Sequence, residues 1–169
     1  MDAKVEKALN EQIHAEFFSF YLYLSVSAYF SSQHLDGFAH WMRIQAQEEF
    51  GHAMKLFDYL NERGGSVQLA AMAAPQREWA SPSAAFEAVL NHERHISARI
   101  NELVNLATSV KDHATTVVLH WYVNEQVEEE ATAETLCHQV RMVEGNPHGL
   151  LMIDRELAGR TLSVPPPAE

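Results

Sequence analysis

The chain has 169 residues, of which 47% are hydrophobic, and this content excludes a disordered chain and allows one domain with a substantial core. Its 12 Lys and Arg residues against 23 Asp and Glu residues give a formal net charge of −11. That charge argues against a nucleic-acid-binding protein, which needs a basic surface. The one cysteine, Cys137, excludes an intrachain disulfide framework and a four-cysteine metal site.

The amino terminus and the longest uncharged segment predict neither a signal peptide nor a membrane span. Four charged residues lie within positions 2–7, where the apolar region of a signal peptide would begin. Segment 17–35 has no Asp, Glu, Lys or Arg, but its five serines and three tyrosines make it too polar to cross a membrane. We therefore expect a cytoplasmic protein with no membrane partner.

The first two helices are predicted from apolar stripes and from the turn residues that end them. The first helix ends near residues 31–32, and Asp36 is the expected N-cap of the second helix, which ends at Gly64 and Gly65. The first stripe is Val5, Leu9, Ile13, Phe17, Phe20, Tyr21, Leu24 and Ala28. The inner face of the second helix carries Ala39, Met42, Gln45, Glu49, His52, Leu56 and Tyr59.

The remaining helices follow a long connection. Ser81 and Pro82 predict the N-cap and the first position of a third helix. A turn at residues 111–112 separates it from a fourth helix over about 114–143, and a short fifth helix is expected over 148–158. The stripe of the third helix is Phe86, Val89, Glu93, Ile96, Ile100, Leu103 and Ala107.

The connection lengths predict the topology. Short loops join helix one to two and helix three to four, so each pair forms an antiparallel hairpin. Segment 64–82 could extend over about 60 Å, whereas a helix of about 28 residues is only about 42 Å long. We therefore predict an all-α four-helix bundle with a long crossover between helices two and three. The domain is expected over 1–160, with a flexible tail over 161–169.

Each of the four long helices carries a glutamate near its middle, on the face predicted to be buried. One such glutamate alone is usually solvated, but several buried together each cost several kcal/mol unless cations neutralise them. Too few basic residues share these faces, so bound cations are expected. A Glu-x-x-His pair with one glutamate from each of two other helices is the arrangement of di-iron carboxylate proteins. The candidates are Glu16, Glu49 with His52, Glu93, and Glu125, Glu128 and Glu129.

Four segments resemble the motifs of the non-haem ferritins of bacteria and archaea. They are EQIHAE at 11–16, AQEEFGHA at 46–53, HE at 92–93 and WYVNEQVEEE at 121–130, and the resemblance extends over about 3–160. It implies a ferroxidase that oxidises two Fe(II) with dioxygen and stores Fe(III) as an oxyhydroxide mineral. It also implies a homo-oligomeric shell of twenty-four subunits in which the fifth helix packs at a symmetry axis.

The resemblance further implies roles for individual residues. Tyr23 and Trp121 match aromatic residues that can donate electrons, and Gln126 matches a residue behind the metal ligands. His92 and His95 are expected at the surface or at an interface. Three iron sites are implied, and their residues are in turn Glu16, Glu49 and His52; Glu49, Glu93 and Glu129; and Glu48, Glu125, Glu128 and Glu129.

Other di-iron carboxylate oxidases are the alternatives. Bacterioferritin holds haem through a methionine that directly follows the second-helix glutamate, but this chain has Phe50 there, so no haem is expected. Oxygenases and ribonucleotide reductase subunits normally have a second Glu-x-x-His, whereas Thr132 follows Glu129 at that spacing here. The second iron is therefore expected to bind more weakly than the first. A bundle without metal is the remaining alternative.

Overall fold

The computed structural model describes residues 1–162, and five α-helices without a β-strand make up this part of the chain. The expected flexible tail at 161–169 lies, from residue 163 onwards, outside the described residues. None of the helices within 1–162 is long and apolar enough to span a membrane. The helices are α1 (Ala3–Ser32), α2 (Asp36–Glu62), α3 (Pro82–Ser109), α4 (His113–Met142) and α5 (Pro147–Leu157).

The predicted four-helix bundle is confirmed. The closest helix pairs are α1 with α2 and α3 with α4, as expected for two hairpins, and residues 63–81 connect them without a helix or strand. Ser81 caps α3 by accepting a hydrogen bond from the amide of Ala84, and Pro82 is the first residue of that helix. The turn at 111–112 ends in Asp112, which caps α4 in the same way.

Two apolar clusters fill the bundle, and a polar layer lies between them. One cluster contains Phe30, Phe38 and Phe86, with the rings of Phe30 and Phe38 stacked at 5.1 Å. The other contains Leu9 and Leu56 with apolar residues of α3 and α4. The buried glutamates of α1, α2 and α3 and the half-buried Glu129 of α4 lie between the segments of their helices that supply the two clusters. The polar layer is therefore closed off from water along the bundle axis.

The buried face of α1 differs from the predicted apolar stripe after Ile13. Tyr21 is 44% exposed, and Ala28 is exposed as well. Polar residues take the inward positions because each has a partner across the bundle. The hydroxyl of Ser27, for example, donates to the carbonyl of Ala39 at 2.7 Å. The buried residues of this part are Glu16, Ser19, Tyr23, Val26, Ser27 and Phe30.

The N-terminus of α2 is capped by the fifth helix, which corrects the assignment of Asp36 as its N-cap. Asp36 is the first helical residue, and the N-cap residue Leu35 makes no side-chain hydrogen bond. The amide of Phe38 instead donates to Asp154 Oδ1 at 3.0 Å. A Cβ at position 37 would lie 1.6 Å from the Asp154 carbonyl oxygen, so only Gly37 allows this close approach.

The fifth helix packs on its own bundle through this contact. Leu157 is buried in the core cluster around Phe38, and Leu150 and Ile153 pack against it. Leu151 and Met152 on the same helix are exposed. The packing of α5 at a symmetry axis of the shell stays a prediction. It would involve the exposed face of α5 that carries Leu151 and Met152.

We expect Asp154→Ala to lower the free energy of unfolding by about 1–2 kcal/mol, because an N-terminal amide of α2 loses its only side-chain cap. Denaturant-induced unfolding measures the effect. Glu156→Ala is the control because it removes an exposed carboxylate of the same helix. Equal stabilities of the two variants would contradict the capping role.

Candidate metal centre

The first cluster consists of Glu16 from α1 and of Glu49 and His52 from α2. Their candidate ligand atoms all lie within 4.8 Å of one another, and all three side chains are buried. His52 Nδ1 lies 3.4 Å from Glu49 Oε2 because the two residues are one helical turn apart. Gln12 donates from Nε2 to Glu16 Oε1 at 2.8 Å, while Glu16 Oε2 is buried without a hydrogen-bond partner. That oxygen is therefore open to a cation.

The second cluster consists of Glu49, Glu93 and Glu129, again with ligand atoms within 4.8 Å of one another. Glu49 thus belongs to both clusters. Two donors fix Glu93: the hydroxyl of Tyr23 donates to Oε1, and Gln126 Nε2 donates to Oε2 at 3.1 Å. The second cluster contains no imidazole, which agrees with the weaker second iron expected from the sequence.

Gln45 links two ligands of the second cluster, Glu49 and Glu129, whereas sequence analysis assigned it only to the inner face of α2. Its Nε2 donates to Glu49 Oε1 at 3.1 Å and to Glu129 Oε2 at 2.7 Å. Its Oε1 is buried without a hydrogen-bond partner. The spacing offers one signal that could have found it: Gln45 precedes Glu49 by one turn, just as Gln12 precedes Glu16 on α1.

Burial favours the protonated form of three of the four carboxylates. Burial, reinforced by the charge of Glu49, raises the pKa of Glu16 from 4.5 to about 8. The same two causes raise the pKa of Glu129 to about 7 and that of Glu93 well above its ordinary value. The metal-free centre is therefore a poorly compensated group of acidic residues.

Glu49 and His52 behave as an ion pair within this group. Burial favours the neutral form of Glu49, but the hydrogen bond and charge of His52 outweigh it, and the pKa of Glu49 is lowered. Burial likewise disfavours protonated His52, yet the hydrogen bond and charge of Glu49, with Glu16 and Glu129, raise its pKa to about 10.

This donor set fits metal cations. Three buried carboxylates and the half-buried Glu129 face one imidazole, and two buried side-chain oxygens, Glu16 Oε2 and Gln45 Oε1, have no hydrogen-bond donor. A cation at each cluster would neutralise the carboxylates and give the unpartnered oxygens a partner. Oxygen donors with a single imidazole suit Fe, Mn or Zn.

The four residues expected at a third site are not brought together as one group. Glu125 and Glu129 lie with His52, their ligand atoms within 4.8 Å of one another. Glu128 is exposed. Glu48 Oε2 lies 2.5 Å from Arg160 Nη2, in an ion pair that the sequence did not predict because it depends on how α5 docks.

Aromatic residues and one histidine surround the clusters. Trp121 stands edge-on to the ring of His52 at 5.3 Å, and Lys55 Nζ lies 4.0 Å from the centre of the Trp121 ring. His92 is half-buried and makes these contacts within its own bundle: a 2.8 Å hydrogen bond joins its Nε2 to Ser19 Oγ, and its ring contacts Tyr23 edge-on. Burial lowers the pKa of His92 to about 4.

We expect Gln45→Leu to weaken metal binding at the second cluster by about tenfold, because Glu49 and Glu129 lose the donor that holds their oxygens together. Equilibrium titration with Zn(II), which does not change oxidation state, measures this. Gln47→Leu is the matched control because Gln47 is exposed two residues away. Equal affinities in both variants would show that Gln45 does not position the carboxylates.

Several known proteins are similar to this chain over most of its length. A family model of the ferritin-like domain matches residues 6–143. The bacterial non-heme ferritin of Bacteroides fragilis is 43% identical, covering 93% of this chain and 98% of its own, and that of Staphylococcus epidermidis is 37% identical, covering 92% and 94%. Among solved structures, an open pore ferritin from the archaeon Archaeoglobus fulgidus aligns with a TM-score of 0.94 and 50% identity over 95% of this chain and 99% of that one.

Proposed function

The chain belongs to the ferritin family, and we propose that it oxidises Fe(II) with dioxygen at the two clusters that share Glu49. Iron storage follows from that membership, because the similar curated proteins are bacterial non-heme ferritins and the similar structures are ferritins. The observation that carries the ferroxidase proposal is the shared position of Glu49 between two buried ligand groups. Two Fe(II) ions bound there would be neighbours that one dioxygen molecule can reach.

The two irons are substrates and take different ligands. Glu16, Glu49 and His52 hold the first, and Glu49, Glu93 and Glu129 hold the second. Each Fe(II) gives one electron, and dioxygen accepts both together with two protons. Anionic oxygen donors favour Fe(III) over Fe(II), so the carboxylates promote the oxidation. The second iron, which has no imidazole ligand, leaves first toward the mineral.

Glu125, Glu128 and Glu48 extend this pair toward a third iron site. Glu125 supports that assignment because its ligand atom lies near those of His52 and Glu129. Glu48 directly precedes Glu49 on α2, and its carboxylate is bound by Arg160. A third iron is therefore bound less readily than the first two.

We further propose a shell of twenty-four subunits with closed symmetry, in which the mineral forms. Exposed apolar residues support subunit contacts: Val117, Val127 and Met142 are each about two-thirds exposed or more, and Leu151 and Met152 lie on the outer face of α5. Light scattering measures the assembly. A particle mass close to twenty-four times that of the 19.1 kDa chain is expected, and a monomer or dimer would contradict the shell.

Iron titration tests the ferroxidase. Anaerobic calorimetry should show two tight Fe(II) sites per chain, and admission of air should convert this iron to Fe(III) within the time of mixing. Repeated additions should then be retained in excess of the bound pair, as mineral. A di-iron oxidase with a fixed cofactor would keep only the first two irons. A bundle without metal would bind none.

A further inference from the structure

The residue that follows α5 and its final turn, Arg160, lies against α2. Its guanidinium stacks over the Trp41 ring at 4.0 Å, and Nη1 donates to the Trp41 carbonyl at 3.4 Å. Nη2 donates to Glu48 Oε2 at 2.5 Å. The side chains are 20% and 12% exposed for Arg160 and Glu48, so this ion pair is largely removed from water.

The chain segment that carries Arg160 is fixed at several points along α2. Asp154 caps the amide of Phe38, as described above. Two residues further along α2, His40 Nε2 donates to the carbonyl of Arg160 at 2.8 Å. The guanidinium therefore reaches Glu48 from a segment whose backbone is held, and its position follows from how α5 docks.

Arg160 also lies within the electrostatic field of the metal centre. Glu129 and Glu49 attract its positive charge in addition to Glu48. A guanidinium and a metal ion compete for the same carboxylate oxygens, because each requires anionic oxygen at short range. The place that Nη2 takes beside Glu48 is thus a cation position that is already filled by the chain itself.

We propose that Arg160 is a built-in counter-ion at the third metal position, so that a metal cation binds beside Glu48 only when the guanidinium leaves. The proposal rests on the proposed function, because the first two cations bind at the Glu49 clusters. It makes the docking of the C-terminal segment the factor that sets the affinity of the third site. Displacement by a cation then releases this segment from Glu48.

A purely structural ion pair and a competing counter-ion differ in one measurable respect. Removing the arginine takes away a cation that contacts the half-buried Glu48, which destabilises the metal-free protein under either role. Only a competing counter-ion makes the third metal bind more tightly once it is gone. The affinity for a metal therefore separates the two roles, and thermal stability alone does not.

Anaerobic calorimetric titration of the assembled protein with Zn(II) tests the proposal. In the parent protein we expect two tight binding events per chain and a weaker third. Arg160→Gln should tighten the third event by about tenfold or more and leave the first two unchanged. The matched control is Arg155→Gln, which removes an exposed arginine of the same segment and should leave all three events unchanged.

A second variant guards against a folding defect in Arg160→Gln. The double variant Glu48→Gln with Arg160→Gln removes both charges of the ion pair together, and the third event should disappear. Thermal unfolding adds a further readout: Zn(II) should raise the midpoint of Arg160→Gln by more than that of the parent. A third event in the double variant with the affinity of the parent would overturn the proposal.

The titration distinguishes a failure of the Arg160 proposal from a failure of the proposed function. If the two tight events occur and the third has the same affinity in Arg160→Gln as in the parent, Arg160 does not compete with the metal, and this proposal alone is wrong. If the parent shows no tight event, the proposed function is wrong and this proposal with it.

Discussion

Glu49→Gln is expected to slow the initial oxidation of Fe(II) by at least about 100-fold, because Glu49 belongs to both ligand clusters and no other residue does. The amide keeps the shape of the side chain but loses the charge that pairs with His52 and that both cations require. Stopped-flow absorbance of Fe(III) formation under air measures the rate. Glu102→Gln is the control because it removes an exposed carboxylate of α3.

The effect should be graded according to the number of clusters that each residue serves. Glu16→Gln affects only the first cluster, whereas Glu49→Gln weakens both Fe(II) sites, so Glu16→Gln should slow oxidation less than Glu49→Gln. Light scattering shows whether each variant keeps its assembly. Equal rates for Glu49→Gln and Glu102→Gln would place the oxidation elsewhere in the protein.

The sequence predicted the inner faces of α2 and α3 correctly because their glutamates continue an apolar stripe. Glu49 and Glu93 occupy positions where the helical period requires a buried residue, so each was visible as a charge in the core. On α1 the period failed after Ile13, because buried serines and Tyr23 replace apolar residues where partners from other helices satisfy them. A pattern of hydrophobic residues does not predict the burial of such polar residues.

Contacts that depend on how α5 docks on the bundle could not be predicted from the sequence. The capping of α2 by Asp154 and the ion pair of Arg160 with Glu48 join residues more than 110 positions apart, and no local pattern links them. The spacing of Thr132 after Glu129 was also only partly informative. Thr132 is exposed, so a histidine there would not face the second cluster. The expectation of a weaker second site rests instead on its three candidate ligands, which are all carboxylates.

The pH dependence of the metal-free protein follows from the direction of each pKa shift. The pKa of Glu16 is raised by burial from 4.5 to about 8, and that of Glu129 to about 7, so the native state binds more protons than the unfolded state in this range. Stability from these groups is complete below about pH 4.5 and is lost as the pH rises through the native values. His52, raised from 6.5 to about 10, contributes stability in the same direction. Glu49, with a lowered pKa, contributes stability that is lost only when the pH falls below its ordinary value.

Metal binding should therefore strengthen steeply with pH between about 5 and 8, because the first cation displaces protons from Glu16 and His52 and the second displaces a proton from Glu129. For every proton displaced, the apparent affinity for Zn(II) rises by about tenfold per pH unit. Calorimetry in two buffers of different ionisation enthalpy counts the protons released. Glu16→Gln removes one of these groups and should reduce the count at the first cluster by up to one, while Glu102→Gln should leave it unchanged. An affinity that does not vary over this range would mean that the buried carboxylates are already ionised before the metal arrives.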